Sequence, residues 1–213
     1  MKKTSGEGGF IVFEGLDGAG TTTQAALLAE SLTDQGLVVH LTAEPSPGPV
    51  GQLIRAALQH KVLDRQGARL APEVLAGLFV ADRADHLVSE IEPALRQGEI
   101  VICDRYVDSS LAYQGVECDF EWIATMNAPM RAPDLTLWLH VDPEVAARRR
   151  SVRRGEVELY EVEDFQRRVA TAYEHAFSRW PDRVFKRIDG QRCIDEVHLA
   201  CLNAVSLCLD LGA

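Results

Sequence analysis

FIVFEGLDGAGTTTQ, residues 10–24, opens as an apolar run, passes through a glycine-rich segment and continues into a helical pattern. That order predicts a buried strand, a loop and a helix. Gly15 and Gly20 have the spacing of the phosphate-binding loop G-x-x-x-x-G-K-[ST], and Thr22 stands where its metal-binding hydroxyl belongs. Thr21 occupies the place of the lysine. In such a loop the glycines let backbone N–H groups converge on phosphate oxygens, and the helix N-terminus favours anions. A strand–helix turn without a ligand is the competing account, and the missing lysine lends it weight.

Beyond the loop, short strands alternate with longer helical stretches. Strands are predicted at 37–42, 99–104, 135–142 and 184–189 after the first at 10–15. Helices are predicted over 22–35, 50–59, 143–154, 163–179 and 193–211, with a long one from Pro72 to Gly98. The alternation implies right-handed crossovers and one α/β domain with a mainly parallel sheet covered on both faces.

The 213 residues are 46% hydrophobic and 25% charged, ordinary for a globular chain. A net charge of -10 argues against a general nucleic-acid or membrane-surface binder. Cysteines 103, 118, 193, 201 and 208 form no C-x-x-C pair and read as reduced, mostly buried thiols. The histidines show no metal-ligand spacing. MKKTSGEGGF at the start lacks the apolar run of a signal peptide, and the apolar stretch 193–211 carries Asp195, Glu196, His198 and Asn203, as an amphipathic packing helix does. A cytoplasmic protein without a membrane span is the expectation.

The third strand runs into DRYVDSSLAYQG (104–115) and is preceded by LFVADRADHLVSEIEPAL (78–95). Together with FEGLDGAGTTTQ, these segments closely resemble thymidylate kinases, P-loop enzymes that phosphorylate dTMP with ATP. EPSPGPVGQLIR (44–55), PDLTLWLHVDPEVAARRR (133–150) and ELYEVEDFQRRV (158–169) follow the family order, so the resemblance covers nearly all of residues 1–213 as one domain. It implies the five-stranded parallel sheet of P-loop kinases, a phosphate loop at 15–22, an acceptor-nucleotide region over about 44–115 and a lid over about 151–162. It also implies a homodimer, with ATP, Mg²⁺ and dTMP as the bound species.

Carried over residue by residue, Gly15, Gly18, Gly20, Thr21, Thr22 and Thr23 would surround the ATP phosphates. Asp104, ending a buried strand at the sheet's C-terminal edge, would hold Mg²⁺ alongside Thr22; a structural Asp–Arg pair is the alternative. Arg105 and Arg55 would be planar forks for the acceptor phosphate, against the plainer reading of surface ion pairs. Phe79 would stack on the base and Arg83 hydrogen-bond its edge; four apart, they share a helix side, and core packing competes for Phe79. Tyr113 and Gln114 would line the sugar and base, with the tyrosine crowding out a 2′-hydroxyl. Asp17 would be the acid near the acceptor's sugar and phosphate, or merely a turn-stabilising side chain. Glu44, Pro45, Ser110 and Glu161 complete the implied dTMP set.

Three positive charges of the family pattern are absent. Thr21 replaces the loop lysine, Ala43 precedes Glu44-Pro45 where many bacterial relatives read T-R-E-P, and Leu159 sits in E-L-Y-E where one branch reads E-R-Y-E. A charge pair about 4 Å apart at an effective dielectric of about 20 is worth roughly 4 kcal/mol, about a thousandfold in rate if realised only in the transition state. RRRSVRR (148–154) offers replacements, and on a helix Arg149 and Arg153 share one face, as do Arg150 and Arg154. Arg149, Arg153 or both are expected to bind ATP phosphates, against the alternative of a solvated basic face. The expected catalytic set is Asp17, Asp104, Arg105, Arg149 and Arg153. The leading function is an ATP-dependent thymidylate kinase. A nucleotide-binding protein with little catalysis, and a kinase for another nucleoside monophosphate, stand beside it.

Overall fold

The computed structural model describes residues 7–151, 163–180 and 183–208. β1 (Phe10–Gly15) is buried along its whole length at the centre of a five-stranded sheet. β2 (Val39–Ala43), β3 (Ile100–Asp104), β4 (Leu135–His140) and β5 (Phe185–Asp189) complete it in the order β2-β3-β1-β4-β5, every pairing parallel. Side chains alternate across a strand. Ile11 and Phe13 therefore join one apolar cluster, while Phe10 and Val12 join another.

The first cluster takes Leu28 of α1 (Thr21–Asp34), Tyr173 of α8 (Glu163–Arg179) and Cys201 of α9 (Ile194–Cys208). In α9 the buried residues Val197, Cys201, Ala204 and Val205 form one stripe, as the amphipathic reading requires. The second cluster takes Leu87, Ile91 and Leu95 with Leu111 and Ile123. Between these layers the strand order changes direction at β1, so a crevice opens beyond the C-terminal ends of β1 and β3, where α/β sheets bind ligands.

Departures from the sequence reading have local causes. β2 begins two residues late because the Leu37 N–H bonds back to the Leu32 carbonyl (3.1 Å) around Gly36, at φ +85°, closing α1. The long helix is α3 (Pro72–His86), a π-turn over Leu87–Ile91 and α4 (Glu92–Arg96). Pro93 lacks an N–H to donate into the preceding turn, and the wider turn accommodates it. β4 stops at His140, two residues short, because Pro143 starts α7 (Pro143–Ser151).

α2 (Pro49–Leu58) forms as expected, but α5 (Val107–Tyr113) and α6 (Phe120–Asn127) are additional. Every residue of α5 is buried, and a helix buried all round has no amphipathic period to read. Among the cysteines, all free, only Cys103 and Cys201 are buried, fewer than expected. Among the described residues no helix is long and apolar enough to cross a membrane.

Leu28 is 0% exposed at the α1–sheet contact and Val88 is 74% exposed. Urea unfolding is expected to show a loss of about 2–5 kcal/mol for Leu28→Ala and within about 0.5 kcal/mol for Val88→Ala.

Candidate active site

The phosphate loop is shaped by two left-handed glycines, Gly18 (φ +90°) and Gly20 (φ +97°). A Cβ added at Gly18 would lie 2.5 Å from the Ala146 carbonyl oxygen, so α7 rests directly on the loop. Gly20 precedes α1 with open space above it. The first-turn amides of α1, from Thr21 onward, have no intrahelical acceptor and are available to an anion. Thr21 itself is buried.

The Thr22 hydroxyl donates to Asp104 Oδ2. Asp104 Oδ1 is buried without a hydrogen-bond partner among the described residues. An orphaned carboxylate oxygen beside a threonine hydroxyl, at the mouth of a phosphate loop, fits a small hard cation that also takes phosphate oxygens and water. No cluster of three or more His, Cys, Asp or Glu ligands occurs among the described residues. The donor set therefore suits Mg²⁺ carried with a nucleotide rather than a closed protein cage.

From this loop one cavity of about 370 Å³ extends toward α3 and α5, lined by Asp17, Gly18, Gly20, Thr21, Thr22, Glu44, Pro45, Phe79, Arg83, Arg105, Ser110, Tyr113 and Gln114 among others. Arg105 has φ +74°, strained for a non-glycine residue. Its amide bonds the Phe13 carbonyl (2.8 Å), Nη1 donates to the Gly15 carbonyl (2.8 Å), and Nη2 pairs with Asp17 Oδ1 (2.6 Å). The guanidinium also lies 5.2 Å from the centre of the Tyr113 ring. The Tyr113 hydroxyl accepts from the Asp17 N–H (3.1 Å), joining α5 to the phosphate loop.

Arg83 is 1% exposed and anchors the other wall. Nη2 lies 2.7 Å from Glu44 Oε2 and donates to the Tyr106 carbonyl and Ser110 Oγ (both 3.0 Å), Nε donates to Glu44, and Nη1 donates to Asn127 Oδ1. Of a guanidinium's five N–H groups, a second Nη1 hydrogen remains beyond those bonds. Phe79 lies one turn earlier on α3, half-buried at the cavity wall.

A family model described as "Thymidylate kinase" matches residues 13–200, from inside β1 to within α9. The chain is 42% identical over 211 residues to the thymidylate kinase of Pelotomaculum thermopropionicum, covering 96% of this chain and 95% of that one. It is 39% identical to a probable thymidylate kinase of Pyrococcus horikoshii (90% and 92% covered) and 41% identical to that of Trichormus variabilis (90% and 92%). The chain belongs to the thymidylate kinase family.

In this thymidylate kinase family member some expected site residues stand elsewhere. Arg55 is exposed and absent from the cavity lining, its guanidinium donating to the Pro45 and Ser46 carbonyls. Arg149 donates to the Gly190 (2.8 Å) and Ala19 (3.4 Å) carbonyls and lines a second cavity of about 190 Å³ with Gly18, Gly20 and Thr23, not the main one. Arg153 and Glu161 lie outside the described residues.

Other polar residues of this family member shape the site without belonging to a motif. Asp82 accepts from Ser46 N–H (2.7 Å) and Oγ (2.5 Å), fixing the segment after the cis Glu44–Pro45 bond. His86 sits between Glu44 (3.4 Å) and Thr42 (2.8 Å). Asp82 and His86 lie four apart on α3, polar residues on a side that packs inward, and that spacing was the available signal. Arg150, rather than the expected Arg149, lines the main cavity.

Glu14 is wholly buried and accepts from the Tyr106 and Ser109 amides (2.9 and 3.0 Å) and the Ser109 and Tyr173 hydroxyls (2.5 and 3.0 Å). Burial, then the nearby Asp108 carboxylate, push its pKa up from 4.5 to about 7 against those donors. Burial likewise raises Asp108 to about 6, opposed by Arg183 at 3.3 Å. For His86, burial opposes the charge, but the hydrogen bond and field of Glu44 prevail and raise its pKa.

A raised folded-state carboxyl pKa contributes stability that is present below the unfolded value and lost as pH climbs through the folded one. Glu14→Gln is expected to remove this part of the pH dependence. The unfolding free-energy difference between wild type and variant should shift by up to about 3 kcal/mol from pH 4.5 to 7.5, read from denaturant melts across that window.

Proposed function

We propose that this chain transfers the γ-phosphoryl group of ATP to dTMP, giving dTDP and ADP. The observation that carries the proposal is the single cavity in which the phosphate loop and the acceptor wall face each other. Phosphoryl transfer needs little covalent chemistry from the protein; it needs in-line placement and charge stabilisation. The loop amides and Thr22 hold the donor phosphates. Arg105, fixed by Asp17 and Gly15, presents its guanidinium edge to the acceptor phosphate, which a planar fork matches. Phe79 stacks on the base, Arg83 directs its remaining Nη1 hydrogen to the base edge, and Tyr113 closes the sugar side. Ser110 and Glu44 act through Arg83. When bound with ATP, Mg²⁺ supplies charge neutralisation of the β- and γ-phosphates, and Thr22 with Asp104 would hold it.

The further assignments belong to the same proposal: residues 1–213 as one functional unit with a lid over about 151–162, a homodimeric assembly and a cytoplasmic location. A nucleotide-binding protein with little catalysis is favoured only by Thr21, whereas Asp17, Thr22, Asp104 and Arg105 form a constellation that binding alone does not need.

Coupled ADP release with dTMP, dUMP, UMP, CMP and AMP tests the reading, dTMP being the expected preferred acceptor. Binding of dTMP without turnover of any acceptor would sink it. Phe79→Ala is expected to raise KM for dTMP about tenfold, since an aromatic stacking contact contributes roughly 0.5–1.5 kcal/mol beyond burial. Asp104→Ala is expected to lower kcat roughly a hundredfold while leaving dTMP binding, read by calorimetry, near the wild-type value.

A further inference from the structure

The missing lysine at Thr21 leaves a charge vacancy that one described residue is placed to fill. Arg83 and Arg105, the other cations lining the cavity with Arg150, are committed to protein partners, including the carboxylates of Glu44 and Asp17. Arg149 spends Nη1 on the Gly190 (2.8 Å) and Ala19 (3.4 Å) carbonyls and lines the second cavity, whose lining includes neither Thr21 nor Thr22. Arg150 instead crosses the phosphate loop: a Cβ at Gly18 would lie 3.2 Å from Arg150 Cγ, and Nη1 donates to the Asp17 carbonyl oxygen (2.5 Å). Its side chain lines the main cavity together with Thr21 and Thr22. Among the described residues it forms no ion pair, so the neutral carbonyl that positions it leaves its charge uncompensated.

We infer that Arg150 delivers to the ATP phosphates the positive charge that Thr21 withholds from the loop, an inference that rests on the kinase reading above. As the bond between the γ-phosphorus and the ADP oxygen breaks, ADP leaves with the electron pair. An oxygen of the dTMP phosphate supplies the pair for the new P–O bond. Arg150 moves no proton; its N–H groups meet the charge that develops on the leaving and non-bridging oxygens. Glycine at 18 is part of the device, because only without a Cβ does α7 come close enough for an arginine stem to lie across the loop.

A double-mutant cycle at saturating ATP and dTMP tests this. Arg150→Ala is expected to lower kcat roughly 10²–10³-fold in the wild-type background, with KM for dTMP within about threefold and calorimetric dTMP binding retained. In a Thr21→Lys background the same substitution should cost less than about tenfold, and Arg150→Lys should fall between wild type and Arg150→Ala. Equal losses in both backgrounds, or an unchanged kcat in Arg150→Ala, would overturn the substitution while leaving the kinase reading intact. Failure of the unmutated chain to release ADP with dTMP would overturn both.

Discussion

The Glu14 carboxylate holds the two halves of the site together. It sits at the end of β1, one residue before the phosphate loop's first glycine, and accepts from the Tyr106 and Ser109 amides, the Ser109 hydroxyl and the Tyr173 hydroxyl. The strand that leads into the phosphate loop, the turn that carries Arg105 and helix α8 are thereby fixed at one point. The Arg105 kink follows, since its neighbour's amide is drawn to Glu14 while its own guanidinium is drawn to Gly15 and Asp17. Burying the carboxylate beside Asp108 works against its charge, which is why its pKa stands well above an ordinary glutamate's.

Charge in the cavity is distributed by function although the chain as a whole carries a net charge of -10. Arg83 and Glu44 form a pair almost wholly removed from water, with side chains 1% and 2% exposed. Such a pair adds little net stability, but removing one partner strands the other in a dry site, so it favours uniqueness of geometry over strength. Glu44 in turn engages His86, and Asp82 fixes Ser46, so the segment after β2 is held from α3 through side chains. This wall of the cavity is thus a polar network inside an apolar frame, and a satisfied network of this kind holds its members in one arrangement.

Much of this was readable in the sequence because the signals were local. Gly15, Gly20 and Thr22 have fixed spacing, and the five strands announced themselves as apolar runs between helices. Phe79 and Arg83 were placed on one helix side by their separation alone, and both line the cavity. Other features could not be read that way. α5 carries no amphipathic period because it is buried all round. Arg55 keeps its motif position yet spends its guanidinium on the Pro45 and Ser46 carbonyls, and nothing in EPSPGPVGQLIR announces that. In RRRSVRR every arginine reads alike, and helical spacing pairs Arg149 with Arg153 as readily as Arg150 with Arg154.

The sequence by itself determined the α/β fold, the phosphate loop, the family and the absence of the loop lysine, since each depends on residue type and spacing along the chain. The tertiary structure decided which arginine enters the main cavity, how far Arg83 is committed to the protein, and that Glu14 ties the strand before the phosphate loop to the Tyr106–Ser109 segment. Those outcomes depend on distances across the fold. The close approach of Ala146 to Gly18 sets α7 over the loop, so that Arg150 reaches the Asp17 carbonyl and the main cavity while Arg149 reaches the Ala19 and Gly190 carbonyls.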